Sequence, residues 1–159
     1  MKMKLGKWKS IVLWVIITEA VGFLSYLLTK DGINFFEATA NKPLLQPPGW
    51  VFTVVWAILF GLMGVSAGRI WNHTDSENRR WSLNLFVLQL VLNLFWSLIF
   101  FNAQAYGVAA VWIVLLWIAV FFMILRFSRI DTLAAWLQVP YLVWLTFATY
   151  LALGVWLLN

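Results

Sequence analysis

Five long apolar stretches, separated by short polar or charged segments, dominate the pattern of the chain. An α-helix needs about 20 mostly apolar residues to cross the hydrocarbon core of a bilayer, and each stretch reaches that length. They occupy residues 8–28, 50–71, 81–101, 107–127 and 133–158. The pattern therefore predicts an all-α membrane protein, a single domain over residues 1–159 built as a five-transmembrane-helix bundle.

The segments between these stretches differ in length and charge. Residues 29–49 are polar and Pro-rich and are predicted to form a loop, whereas no charged residue lies between Arg80 and Arg126. That uncharged region indicates two spans joined by a tight hairpin. The composition agrees with a lipid environment, because 64% of residues are hydrophobic and 11% are charged, against about 25% charged in soluble domains.

Basic residues near the helix ends predict the orientation of the bundle. Of the 11 Lys and Arg residues, only Lys30 and Lys42 fall on the side opposite the N-terminus. Basic loops usually face the cytoplasm, so we expect a cytoplasmic N-terminus in a bacterial cytoplasmic membrane. The basic start resembles a signal peptide, but the apolar run at 8–28 is too long for one and is predicted to be a retained helix.

The chain lacks the side-chain sets that conventional catalysis uses. It has no cysteine, and its one histidine, His73, lies in a charged loop. No Ser-His-Asp set, phosphate-binding Gly-rich loop or metal-spaced cluster occurs, so no metal or required cofactor is expected. The basic residues are interpreted as topology signals and headgroup contacts, so the expected partner is the lipid bilayer, not nucleic acid.

Polar side chains inside the predicted spans are candidates for function. Gln89, Asn93, Trp96 and Phe100 share one face of the third helix. An unbonded amide in hydrocarbon is costly, so Gln89 and Asn93 either bond to neighbouring helices or face a ligand. Glu19 is the one acid well inside a span, and it is either a hydrogen-bonded or protonated side chain or part of a transport route.

Small residues and tryptophans form two further patterns. Ala57, Gly61, Gly64 and Gly68 lie on one face of the second helix and predict close helix approach, within the bundle or across a dimer. Six tryptophans at predicted helix ends are typical of an interfacial aromatic belt. These are Trp8, Trp50, Trp71, Trp81, Trp136 and Trp156. Six deeper ones either pack in the bundle or against lipid, or line a cavity. These are Trp14, Trp56, Trp96, Trp112, Trp117 and Trp144.

Three motifs follow one another across nearly the whole chain. They are Lys42-Pro43-Leu44-Leu45-Gln46-Pro47-Pro48-Gly49-Trp50-Val51-Phe52 with Val55-Trp56, Leu92-Asn93-Leu94-Phe95-Trp96 with Ile99-Phe100-Phe101, and the run from Pro140 to Leu151. In this order, with five predicted helices, they resemble the translocator protein family, also called tryptophan-rich sensory proteins.

The resemblance implies a bundle, commonly a homodimer, whose first loop closes a cavity. In the family this cavity binds porphyrins such as protoporphyrin IX and other hydrophobic ligands. The positions that match its cavity side are Pro47, Trp56, Phe60, Gln89, Asn93, Trp144 and Ala148. Trp96 is added as a ligand-binding candidate because its ring can stack on a flat conjugated molecule.

Several positions depart from the family pattern. Leu45 stands where a loop Trp is usual, Glu37 where a Tyr often follows Phe36, and Phe60 where a Tyr is frequent. Aromatic surface and a hydroxyl are therefore lost around the expected cavity. Leu153 replaces the Tyr of the cholesterol motif of animal members, and no basic residue follows it, so cholesterol is not expected as a partner.

The resemblance leaves three functions open. The leading one is binding and sensing of a tetrapyrrole or another hydrophobic small molecule. The second is light-dependent porphyrin breakdown, in which the catalytic residues would be Trp56 and Trp144. The third is porphyrin or lipid transport, which ranks last because the sequence lacks the inverted repeats and interrupted helices of many carriers.

Overall fold

A computed structural model describes residues 6–159, which form five helices long and apolar enough to cross a membrane. They are α1 (Lys7–Thr39), α2 (Gly49–Trp71), α3 (Glu77–Ser97, continued by a π-helical turn at Leu98–Asn102), α4 (Tyr106–Ser128) and α5 (Thr132–Leu158). The described residues contain no β-strand, and the predicted all-α class and five spans are confirmed. Lys2 and Lys4, which contributed to the predicted orientation, lie outside the described residues.

The first helix is longer than the sequence predicted. α1 continues to Thr39, so the prediction of a loop over 29–49 was wrong for residues 29–39, and only residues 40–48 connect α1 to α2. We call residues 40–48 the lid. At about 1.5 Å per residue, α1 exceeds the roughly 30 Å hydrocarbon core. Polar residues past the core do not end the helix, because water and headgroups solvate their side chains.

Packing holds this helical extension against the rest of the bundle. Thr29 and Phe36 are buried, and the Asn102 side-chain amide donates to the carbonyl of Leu28 at 2.8 Å. A Cβ atom at Gly32 would lie 2.6 Å from the Phe101 carbonyl oxygen, so the end of α3 touches the α1 backbone there. These contacts join residues far apart in the chain, so the hydropathy pattern does not predict them.

Helix caps account for the smaller differences in helix bounds. α3 starts at Glu77 and not at the predicted residue 81, because the backbone N–H of Arg79 donates to the Ser76 hydroxyl at 3.1 Å. At the start of α5 the backbone N–H of Ala134 donates to the Asp131 carboxylate at 3.1 Å. Such caps lie in charged segments that a search for apolar residues leaves out.

The tryptophans at helix ends and the deeper tryptophans differ in their environment. All six predicted at helix ends are exposed, which fits an interfacial belt. Among the deeper ones, Trp112 donates its indole N–H to the Leu92 carbonyl at 2.8 Å, and Trp117 donates to the Thr146 hydroxyl at 2.9 Å. Trp14 packs edge-on against Phe86. These three rings therefore contribute to packing of the bundle.

The glycines of α2 bring it into backbone contact with α1. A Cβ atom at Gly64 would overlap the Val15 backbone, and one at Gly68 would lie 2.6 Å from the Ile11 Cα. The small-residue face was predicted to serve packing within the bundle or across a dimer. At Gly64 and Gly68 it packs within the bundle.

The loops 72–76 and 129–131 meet at one end of the bundle, which we call the basal end. Arg69 and His73 both reach the Asp131 carboxylate, with shortest N–O distances of 2.9 and 3.3 Å. Burial alone would raise the pKa of Asp131. Hydrogen bonds from Arg69, the Ala134 N–H and His73, together with the Arg69 charge, outweigh it and hold the pKa below its ordinary value.

Gly64→Ala should lower the free energy of unfolding by about 1–3 kcal/mol, because the added methyl forces α1 away from α2. Gly61→Ala is the matched control, since its Cβ comes no closer than 3.3 Å to the flexible Glu19 carboxyl. Both changes give the same gain in helix propensity. Thermal unfolding in detergent measures the difference. Equal stability of the two variants would contradict the close approach.

Acid should weaken the basal end. Because the pKa of Asp131 is lowered in the folded state, its stabilisation is present above the unfolded value of about 4 and is lost as pH falls through the folded value. Asp131→Asn should cost about 1 kcal/mol near neutral pH, a modest figure because Arg69 is partly exposed. Unfolding midpoints between about pH 7 and pH 2 should fall less in Asp131→Asn than in the unaltered protein. Parallel pH profiles would rule out this role.

Candidate ligand-binding cavity

A cavity of about 470 Å³ lies in the half of the bundle nearest the lid. Side chains of α1, α2, α3 and α5 and Gln46 of the lid surround it, whereas α4 contributes none. Aromatic rings make up much of its wall. They include Phe36, Phe52, Trp56, Phe60, Trp96, Phe100 and Trp144.

Six of the eight side chains predicted to bind ligand line this one cavity. They are Trp56, Phe60, Asn93, Trp96, Trp144 and Ala148. Pro47 and Gln89 do not line it. Pro47 lies in the lid beside Gln46, which does line the cavity. Gln89 is fully buried behind the cavity wall. Both tryptophans considered for light-driven chemistry, Trp56 and Trp144, therefore border the same space.

The aromatic walls follow from helical spacing. Trp56 and Phe60 are one turn apart on α2 with ring centroids 5.7 Å apart, and Trp96 and Phe100 on α3 are stacked at 5.1 Å. Between helices, the rings of Phe52 and Trp144 meet edge to face at 5.6 Å. Three helices thus present ring faces and edges to one volume.

A polar chain of side chains supports the cavity from behind. The Asn93 amide donates to the Tyr141 hydroxyl at 2.8 Å, and that hydroxyl donates to the Gln89 carbonyl at 2.9 Å. Tyr141 is 1% exposed. Gln89 therefore bonds to a neighbouring helix and does not face the cavity. Asn93 bonds to Tyr141 and also borders the cavity.

Two polar atoms beside the cavity remain without a hydrogen-bond partner among the described residues. They are the Trp144 indole N–H and the Gln46 side-chain carbonyl, and both are buried. Trp96, by contrast, donates its N–H to the Ala109 carbonyl at 3.1 Å and offers only its ring. A buried unpaired polar group is costly, and because neither atom exposes surface to the cavity, a ligand bonds to Trp144 or Gln46 only after the side chain shifts.

The lid is tied to the end of α5. Asn41 and Asn159 bond reciprocally, with the Asn41 backbone N–H donating to the Asn159 side chain at 3.0 Å and the Asn159 amide donating back at 2.8 Å. The Tyr150 hydroxyl donates to the Leu44 carbonyl at 2.9 Å. A Cβ atom at Gly154 would lie 2.5 Å from the Pro43 ring. The lid is therefore held in place over the cavity.

Exposed lining residues on α1 and α2 indicate a gap in the cavity wall between these helices. Phe23 and Tyr26 line the cavity although they are 62% and 52% exposed, and Thr53 and Ala57 on α2 are also exposed. This gap faces the side of the bundle, which indicates access from the membrane.

Sequence reasoning missed several of the lining and lid residues. Phe52 had a usable signal, because it lies one turn before Trp56 on the same face of α2. Asn41 and Asn159 had no usable sequence signal, since they are 118 positions apart. Pairs of that kind emerge only when the helices pack.

Tyr141→Phe should lower the free energy of unfolding by about 1–3 kcal/mol, because Asn93 and Gln89 lose their shared partner in a buried place. Tyr26→Phe is the control, as Tyr26 is exposed and its hydroxyl makes no hydrogen bond within the described residues. Unfolding curves in detergent compare the two. A Tyr141→Phe variant as stable as the control would disprove the polar chain.

The chain is similar to known proteins over most of its length. The TspO/MBR family model matches residues 14–157. A tryptophan-rich protein TspO of Chlorobaculum tepidum is 39% identical over 141 residues, which cover 88% of this chain and 89% of that protein. A tryptophan-rich sensory protein of Cereibacter sphaeroides is 34% identical over 119 residues, or 75% of this chain and 73% of that protein.

An animal protein is similar over nearly the same length. The translocator protein of Sus scrofa is 34% identical over 152 residues, which cover 94% of this chain and 89% of that protein. The resemblance drawn from the three motifs is thereby confirmed. With its five apolar helices, the chain belongs to the TspO/MBR family of integral, multi-pass membrane proteins.

Proposed function

We propose that the cavity binds a flat, hydrophobic tetrapyrrole of the protoporphyrin IX type and that the protein has a sensory or regulatory role. One observation carries the proposal, namely that ring faces of α2, α3 and α5 converge with Asn93 around one space of about 470 Å³. Small-molecule sites typically enclose about 300–1,000 Å³ and combine apolar walls with a few polar groups. The Cereibacter sphaeroides relative is itself described as a sensory protein.

The ring faces suit a planar conjugated ligand. Each aromatic pair adds about 0.5–1.5 kcal/mol beyond the area it buries. Ala148 follows Trp144 by one turn of α5, and its small side chain leaves room beside the indole. The amide of Asn93, which borders the cavity, supplies a polar contact for the edge of a ligand.

A porphyrin in this place would be held without histidine ligation. His73, the one histidine of the chain, contacts Asp131 at the basal end, away from the cavity. The proposal therefore concerns a ring bound by stacking and edge contacts, with no axial ligand from the protein.

We also propose that the basal end faces the cytoplasm and the lid faces outward in a bacterial cytoplasmic membrane. Arg69, Arg79, Arg80, Arg126 and Arg129 support this orientation, since all lie at or near the basal end. The cavity then occupies the outer half of the bilayer, and its gap between α1 and α2 opens towards the outer leaflet. A hydrophobic ligand would enter from lipid without crossing the membrane.

Trp144→Ala should weaken protoporphyrin IX binding by about five- to tenfold, because one stacking face is lost. The control is Trp117→Ala, which removes an indole of α4, the helix that does not line the cavity. Porphyrin absorbance, titrated against protein in dim light, gives both affinities without relying on tryptophan emission. Equal affinity of the Trp144→Ala and Trp117→Ala variants would refute the site.

A further inference from the structure

The cavity wall carries acidic side chains and no basic one. Glu19 and Glu37, both on α1, line it, whereas no Lys, Arg or His does within residues 6–159. Glu37 is already paired, since its carboxylate lies 2.9 Å from the Lys42 ammonium at the lid end. Glu19 makes no hydrogen bond or ion pair with any described residue. The deep end of the cavity therefore holds a carboxyl group without a protein partner.

Glu19 lies near the middle of the apolar stretch of α1. It is about midway along α1 between Lys9 and Lys30, which at about 1.5 Å per residue places it roughly 15 Å from each. Its carboxyl occupies space that Gly61 leaves open, because a Cβ atom at position 61 would lie 3.3 Å from the Glu19 oxygen. A carboxylate at such a depth is costly unless it meets a counter-charge.

Aromatic rings share the cavity wall with this carboxyl. The Phe60 ring packs against Gly22, which lies one turn beyond Glu19 on α1. A Cβ atom at Gly22 would lie 2.6 Å from this ring. The ring centroid of Trp56 lies 5.7 Å from that of Phe60. Aromatic faces attract cations, and the attraction grows when the site excludes water. A carboxyl group beside aromatic faces, with no basic residue, is the chemistry that recognises a hydrophobic organic cation.

We infer that the cavity selects ligands by the sign of their charge and accepts amphiphilic aromatic cations, with Glu19 pairing with the cationic centre. The inference rests on the proposed function in so far as the cavity binds hydrophobic ligands. Acidic groups of a ligand find no basic partner among the lining residues, so they must point away from Glu19, towards the lid end. Positive or neutral parts of a ligand occupy the space beside Glu19 and Phe60.

Tetraphenylphosphonium and tetraphenylborate provide the test, because they have nearly the same shape and opposite charge. Equilibrium dialysis of the purified full chain in detergent, against detergent alone, measures both affinities. The protein should prefer the cation, although its net charge of +5 favours the anion in any non-specific binding. Glu19→Gln should weaken cation binding by about tenfold, as one partly buried ion pair is lost, and leave anion binding unchanged or tighter.

Asp31→Asn is the matched control, because it removes the same charge from an exposed position of α1 that does not line the cavity. It should leave the preference for the cation intact. Glu19→Asp keeps the charge and should retain the preference even if Glu19→Gln proves unstable. Equal binding of the two ions, or a preference unchanged in Glu19→Gln, would overturn the inference.

The same samples separate this inference from the proposed function. Titration with protoporphyrin IX dimethyl ester, which is uncharged, reports on the cavity without involving Glu19. Binding of the ester with no cation preference defeats the inference and leaves the cavity proposal standing. Cation binding that depends on Glu19, without binding of the ester, supports the inference and defeats the tetrapyrrole proposal.

Discussion

Backbone contact between α1 and α2 at Gly64 and Gly68 is the constraint on which the rest of the structure depends. Most of α1 is exposed, so few large side chains anchor it in the bundle. In lipid there is little hydrophobic drive to press helices together, and close packing of small residues replaces it. The Thr18 hydroxyl adds a hydrogen bond to the Phe60 carbonyl at 2.7 Å, at the level where the close contact ends.

Beyond that level the same two helices enclose space. From Glu19 to Glu37, α1 forms the front wall of the cavity, and α2 lines it from Gly49 to Phe60. A tight basal half and an open lid half thus arise from the order of residue sizes along α2. Small residues come near its end, and aromatic rings come near its start, where they hold the neighbouring helices apart.

The interior polar groups divide between stability and binding. Tyr141 and Gln89 satisfy one another deep in the bundle, where an unpaired group would be costly. Asn93 belongs to both sets, since it completes that chain and reaches the cavity. The structure therefore couples the position of a cavity-facing amide to the contact between α3 and α5. In the proposed function, a ligand that bonds to Asn93 acts directly on that contact.

The sequence alone determined the membrane class and the five helices, because hydropathy and helical periodicity are local properties of the chain. The resemblance of its motifs to a known family made Trp56, Asn93 and Trp144 candidates, and packing brings them to one cavity. Only the tertiary structure decided where α1 ends, that Gln89 faces another helix and that Glu19 faces the cavity. Those outcomes depend on which side chains meet across the bundle, and sequence spacing carries no record of contacts between residues far apart in the chain.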